Sequence, residues 1–210
     1  MQENESHVGA GPHPKPWPDD PRLDPELLEY GDRRNVEDKY RYWTVEAVKA
    51  DLDQTRFDVH IAIENWQHDM NIGTIVRHAN AFNVAAVHII GRRHWNKRGA
   101  MVTDRYLNVF HHPSVEDFVR AMGDRHIIAI DNQAGSVPLS AADLPAHSTL
   151  VFGGEGPGLS AEMIAASEQM IAIEQYGSTR SVNVGVASGI ILYEWVRRNQ
   201  VGESSLSLQK

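Results

Sequence analysis

The sequence predicts an α/β protein, a mostly parallel sheet with helices on both faces, and two observations carry that expectation. From Phe57 onward, short apolar runs alternate with stretches of helical periodicity. Alternation of that kind builds a parallel sheet buried under crossover helices. A chain of 210 residues with 41% hydrophobic and 23% charged content is long enough, and ordinary enough, to bury such a core.

The elements read in order as follows. Phe57–Glu64 (FDVHIAIE) is a buried strand, with His60 inside it. Ile72–Phe82 is a helix whose apolar positions Ile72, Ile75, Val76 and Ala79 share one face. Ala85–Ile90 is a second strand, containing His88. Val115–Met122 is a helix, and His126–Ile130 and Thr149–Phe152 are strands. The last of these runs into Gly153-Gly154-Glu155-Gly156-Pro157-Gly158, and Ser160 caps a helix reaching Ala166. Met170–Ile173 is a short strand and Ser181–Arg198 the final helix. On that helix Val182, Val186, Ile190 and Tyr193 recur at helical spacing, which predicts that this stripe packs against the core.

The domain organisation follows from composition. Residues 1–24 form a flexible proline-rich arm, six of the ten prolines lying between Pro12 and Pro25. Residues 25–56 are a helical extension, 57–200 the main domain and 201–210 a flexible tail. With no cysteine, disulfides and cysteine-based zinc sites are excluded, and the histidines show no metal-ligand spacing. No apolar run approaches the roughly 20 residues that span a bilayer. The polar, acidic start Met1-Gln2-Glu3 is unlike a signal peptide, so a cytoplasmic location without a membrane partner is expected. The net charge of −8 lends a nucleic-acid partner no support, although bases cluster at Arg92-Arg93-His94, Lys97-Arg98 and Arg197-Arg198.

Three segments carry chemistry. In the first, Asn71-Ile72-Gly73-Thr74-Ile75-Val76-Arg77-His78-Ala79, Asn71 is placed to cap the helix through its side chain. Arg77 projects from nearly the same side, either as a solvated helix arginine or as a fork for a phosphate. The second is the glycine loop at 153–158. Its spacing is not the dinucleotide fingerprint, and no P-loop lysine follows. Glu155 would repel a phosphate, so the loop is either a tight turn or a backbone cradle for a neutral or cationic cofactor. The third runs from Ile171 to Gly185, where Ser181 is placed to cap the last helix and Asn183 follows. A serine-histidine hydrolase is excluded by the lack of a G-x-S-x-G elbow.

In order and spacing, N-I-G-T-I-V-R-H-A, F-G-G-E-G-P-G-L-S and I-E-Q-Y-G-S-T-R-S-V-N-V-G resemble the three motifs of the SPOUT superfamily, in its TrmH (SpoU) branch. The resemblance covers roughly Phe57 to Asn199. It implies a deep C-terminal trefoil knot, a homodimer with the active site at the subunit interface, and S-adenosylmethionine as cofactor. It further implies an RNA substrate, tRNA slightly before ribosomal RNA, methylated at a ribose 2′-hydroxyl. By the same resemblance Gly153, Gly154, Gly158, Ile173 and Val182 line the cofactor pocket. Arg77 is then the main catalytic residue, supported by Asn71, Glu155, Ser181 and Asn183. Two departures stand out: Glu174-Gln175-Tyr176 where the family often has Pro-Met, and Gly185 where a serine is common. The competing readings are a nucleotide-binding α/β oxidoreductase and a non-catalytic, knotted RNA-binding protein.

Overall fold

In the computed structural model, which describes residues 9–67, 71–154 and 158–201, β1 (Phe57–Asn65) opens a seven-stranded, wholly parallel sheet. It continues with β2 (Val84–Gly91), β3 (Val109–His112), β4 (His126–Ile130), β5 (Val137–Pro138), β6 (Ser148–Phe152) and β7 (Gln169–Ala172). Their spatial order is β3-β2-β1-β6-β4-β7-β5. The late strand β6 pairs with β1 on one side, Ile61 opposite Leu150, and with β4 on the other, Ile128 opposite Leu150.

Alternation along β1 sorts its side chains onto two layers. Val59, Ile61 and Ile63 meet α3 (Ile72–Ala81) and α6 (Val184–Asn199), in a core completed by Ile75, Val76, Ile191, Leu192 and Trp195. Ala62 faces the other way, toward α4 (Val115–Met122) and α5 (Ala161–Ala166), where Phe118, Met122 and Met163 fill the second core. Both layers exclude water from the sheet, which is why its strands read as continuous apolar runs. Serine caps start the helices of the second layer. Ser114 accepts from the Asp117 N–H at 3.1 Å and Ser160 from the Met163 N–H at 3.1 Å.

Three sequence expectations need correction. The strands β3 and β5 were not anticipated; both are short, and β5 is a two-residue edge segment containing Pro138. The last helix begins at Val184 rather than Ser181, because Asn183 is its cap, accepting from Gly185 N–H at 2.9 Å and Val186 N–H at 3.4 Å. The stripe Val182, Val186, Ile190 and Tyr193 does not enter the core: Val186 is 53% and Tyr193 62% exposed. The buried face of α6 is instead Gly185, Ser188, Ile191, Leu192 and Trp195. Small residues on that face let α6 approach α3 closely. A Cβ on Gly185 would lie 2.9 Å from the Thr74 methyl, so any side chain there requires Thr74 to shift.

The chain divides into two compact units, residues 1–54 and 55–210. In the first, α1 (Pro25–Tyr30) is capped by Asp24 and α2 (Val45–Asp53) by Thr44. Segment 9–24, where a flexible arm is expected, carries hydrogen bonds from Ala10 N–H to Asp32 O at 2.8 Å and from His13 N–H to Leu28 O at 2.8 Å. Asp32 is fully buried. Burial pushes its carboxyl pKa up, but bonds from Arg34 and the Tyr42 N–H more than offset that and hold it below the usual range. The tail 202–210 lies outside the described residues.

Candidate cofactor and active site

The carboxyl ends of parallel strands are where open α/β sheets form ligand crevices, because loops diverge there from a fixed edge. Here the ends of β4, β6 and β7 and the start of α6 enclose a cavity of about 330 Å³, within the usual size of small-molecule sites. Gly153, Gly154 and Gly158 form one wall, and Ile173 and Val182 another. Ser181 and Asn183 also reach it, from the segment that leads into α6.

The glycine wall is shaped by close backbone approach. A Cβ on Gly153 would press on the Gly158 carbonyl carbon and stand 2.5 Å from the Leu159 nitrogen. Gly158 holds φ at +69°, a conformation that side chains disfavour. The loop closes on itself through the Gly158 N–H to Gly154 O bond at 3.2 Å. Its exit is fixed by the buried carboxylate of Glu64 on β1, which accepts from the Ser160 N–H and hydroxyl, both at 2.7 Å. Glu155, a candidate catalytic group in the same loop, lies outside the described residues.

Asn71 does not cap α3 with its side chain. Its Oδ1 accepts from Asn183 Nδ2 at 2.9 Å, so the amide expected to cap α3 instead joins α3 to the start of α6. Ser181, expected as the cap of α6, is exposed and stands before the helix. Asn183 is likewise exposed, at the cavity lip. Arg77 lies on the exposed side of α3, outside the described cavity wall, with no hydrogen bond or ion pair among the described residues. Its neighbour His78 faces inward instead. Ser188 Oγ donates to Gly185 O at 2.7 Å, which leaves His78 Nδ1–H to donate to Ser188 Oγ at 2.9 Å. Burial lowers the His78 pKa.

Asp131 and Asn132, directly after β4, were missed by sequence reasoning. The Asp131 carboxylate accepts from Leu159 N–H at 3.0 Å, and Asn132 Nδ2 donates to Arg180 O at 2.5 Å, so the pair ties both cavity loops to one strand end. A polar Asp-Asn step at the end of HIIAI was the available signal. Glu174, one of the departures from the family pattern, accepts from the Ser140 N–H at 3.1 Å, and hydrogen bonds from Ser140 hold its carboxyl below the ordinary range.

Chemically, the cavity offers backbone polar groups, apolar walls at Ile130, Phe152 and Ile171, and one charged side chain among the described lining residues, Asp131. A negative charge and no lysine or arginine suit a neutral or cationic ligand and disfavour a pyrophosphate, which counts against the oxidoreductase reading. No His, Asp or Glu cluster able to hold a metal ion occurs among the described residues, and none of their helices is long and apolar enough to cross a membrane.

Comparison with known proteins adds three findings. Residues 58–193 match the family model described as the SpoU rRNA Methylase family. Among curated proteins, the tRNA (guanosine(18)-2'-O)-methyltransferase of Escherichia coli is 28% identical over 148 residues, covering 68% of this chain and 65% of that enzyme. The 23S rRNA (guanosine-2'-O-)-methyltransferase RlmB of Bordetella pertussis is 31% identical over 140 residues, covering 62% of this chain and 56% of its own length. The chain thus spans less than two thirds of these relatives. Among solved structures, the SpoU methyltransferase AviRb of Streptomyces viridochromogenes in complex with AdoMet superposes with a TM-score of 0.61 at 26% identity, over 72% of this chain and 65% of that one. The Aquifex aeolicus TrmH/SpoU tRNA modifying enzyme shares the fold, with a TM-score of 0.64 at 24% identity, over 73% of this chain and 81% of that one.

Proposed function

The chain belongs to the SpoU rRNA Methylase family, and from that premise we propose that it is an S-adenosylmethionine-dependent methyltransferase acting on a ribose 2′-hydroxyl of tRNA or ribosomal RNA. The observation that carries this reading is the meeting of three sequence-distant segments: the 153–158 loop and the 173–183 segment share one cavity, and Asn183 reaches across to Asn71.

Bound in that cavity, S-adenosylmethionine supplies a methyl group made electrophilic by its sulfonium. The glycine backbone and the side chains of Ile173 and Val182 hold it. Asn183 keeps the start of α3 against the cavity lip, which sets the position of Arg77 two turns along the helix. Arg77 grips a phosphate beside the target ribose and stabilises negative charge developing on the 2′-oxygen. Arginine stays protonated in proteins, so its contribution is electrostatic and not that of a base, and the 2′-hydroxyl proton passes to solvent water. Ser181 and Glu155 complete the polar set around the reacting oxygen. The exposed bases of the loop after β2, Arg92, Arg93, Lys97 and Arg98, supply phosphate contacts on an otherwise acidic protein.

The reading includes a homodimer in the cytoplasm, a C-terminal trefoil knot, and residues 57–200 as the methyltransferase domain. The stripe Val182, Val186, Ile190 and Tyr193 supports the dimer: it is apolar, exposed, and begins at the cavity wall itself. A second copy seated there brings its own polar groups to the cavity mouth. Among substrates, tRNA is the first to test, given a tRNA-modifying relative.

Transfer of tritium from methyl-labelled S-adenosylmethionine into total RNA, with size separation and nuclease mapping, tests the reading. Label in a tRNA or rRNA band, at one nucleotide resistant to alkaline cleavage, is the expected result. Cofactor binding with no label in any RNA would replace it with the non-catalytic RNA-binding protein.

A further inference from the structure

A cavity whose described lining carries one charged side chain, a carboxylate, responds to the charge of what it holds. Asp131 is that charge among the described lining residues. It is held in a single arrangement by three donors: Asn132 N–H at 2.7 Å on Oδ1, and Leu159 N–H and Gln133 Nε2, each at 3.0 Å, on Oδ2. No lysine or arginine among the described residues pairs with it. Its neighbours in the wall, Ile130, Phe152 and Ile171, are apolar, so the local medium screens its field less than water does.

S-adenosylmethionine carries a sulfonium, an ammonium and a carboxylate, a net positive charge. The thioether left after methyl transfer, S-adenosylhomocysteine, is net neutral but otherwise nearly the same shape. Apolar walls and backbone groups hold the two about equally; a fixed carboxylate does not. We propose that Asp131 is the charge discriminator of this cavity, strengthening the grip on the sulfonium form relative to the thioether product and so favouring exchange of product for fresh cofactor. The inference rests on the reading of this cavity as the S-adenosylmethionine site. It makes Asp131 a specificity-determining residue and needs no contact with the transferred methyl group.

The test is calorimetric binding of three probes to the full chain and to Asp131→Asn. The probes are S-adenosylmethionine, S-adenosylhomocysteine, and sinefungin, which carries an amine in place of the methylsulfonium. The expected result is a loss of about tenfold for the two cationic probes, equivalent to about 1.4 kcal/mol, with S-adenosylhomocysteine changed by less than about twofold. Asp131→Glu keeps the charge while disturbing the Leu159 bond, so it retains the preference for cationic probes even where all three bind more weakly. Equal weakening of all three by Asp131→Asn would overturn the proposal and leave Asp131 as a tie for the glycine loop. Wild-type protein binding none of the three would overturn the cofactor reading itself, and this inference with it.

Discussion

Asn183 serves two elements through one amide, its Oδ1 starting α6 and its Nδ2 holding Asn71 at the start of α3. Arg77, on the exposed side of α3, has no hydrogen bond or ion pair among the described residues, so no protein contact has to break before its guanidinium meets a phosphate. Arg77→Lys keeps the charge and loses the planar fork, so turnover falls by about 10²-fold, the usual cost of removing one preorganised donor. Cofactor affinity stays unchanged, since Arg77 is outside the described cavity wall. Single-turnover methylation beside calorimetry checks both halves, and full turnover in the variant would end the assigned role. Gly153→Ala tests the opposite wall. Its methyl must displace backbone at Gly158 and Leu159, a strain of about 1–3 kcal/mol for an overpacked site. Cofactor titration is expected to show at least a tenfold loss there, and an undiminished affinity would mean the glycine loop is not the binding surface.

At the scale of elements, the first three strands are joined by a row of imidazoles on the α4 side of the sheet. His60 Nδ1 meets His88 Nε2 at 3.0 Å, and His88 Nδ1 meets His112 Nε2 at 2.9 Å. A neutral His88 donates one bond and accepts the other, so the row is satisfied with all three rings uncharged, the form that burial favours. Phe110 and Phe118 pack on His88. Burial, reinforced by neighbouring rings and Arg125, lowers His88 to about 3; burial and Arg125 lower His60 to about 4 against the pull of Asp58, and burial lowers His112. His147 also faces His60, while His111 and Asp117 face His112. Depressed histidine pKa values mean the unfolded chain binds more protons between about pH 6.5 and 3, so stability present above that window is lost as pH falls through it. Thermal melts at pH 7.5 and pH 5 should show a large drop for wild type and a smaller one for His88→Gln; equal drops would remove the row as the cause. The sequence placed His60 and His88 in strands, but His112 lies on β3, a four-residue edge strand too short to read, so the row was invisible. Similarly, helical spacing revealed the stripe on α6 but not which side it faces. An apolar stripe reads the same whether it seeks its own core or another surface, and Gly185 and Ser188, on the buried side, carry too little hydrophobicity to compete in the pattern.

For the whole molecule, that exposed stripe sets an expectation about assembly. Ile190→Asp places a charge in its centre, so the proposed homodimer, twice 23.5 kDa, is expected to dissociate toward single chains with little change in secondary structure. Light scattering after gel filtration measures this, and a wild-type protein already monomeric at tens of micromolar would remove the dimer. The strand order was beyond the reach of sequence: alternation predicts a parallel sheet but not that β6 pairs between β1 and β4. That arrangement has a consequence for how the protein is born. A ribosome makes β1, β2, β3 and β4 well before β6, so for an interval the nascent sheet exists as separate pieces with raw inner edges. Only when Ser148–Phe152 emerges does the gap close, and the glycine loop and Asn183 follow it. No unfinished chain that stops short of Asn183 owns a complete binding cavity. Cofactor therefore arrives too late to guide the early pairing of strands and acts only as a latch on a nearly completed sheet. The unsealed edges in between are the molecule's moment of greatest exposure to sticking and to chaperones.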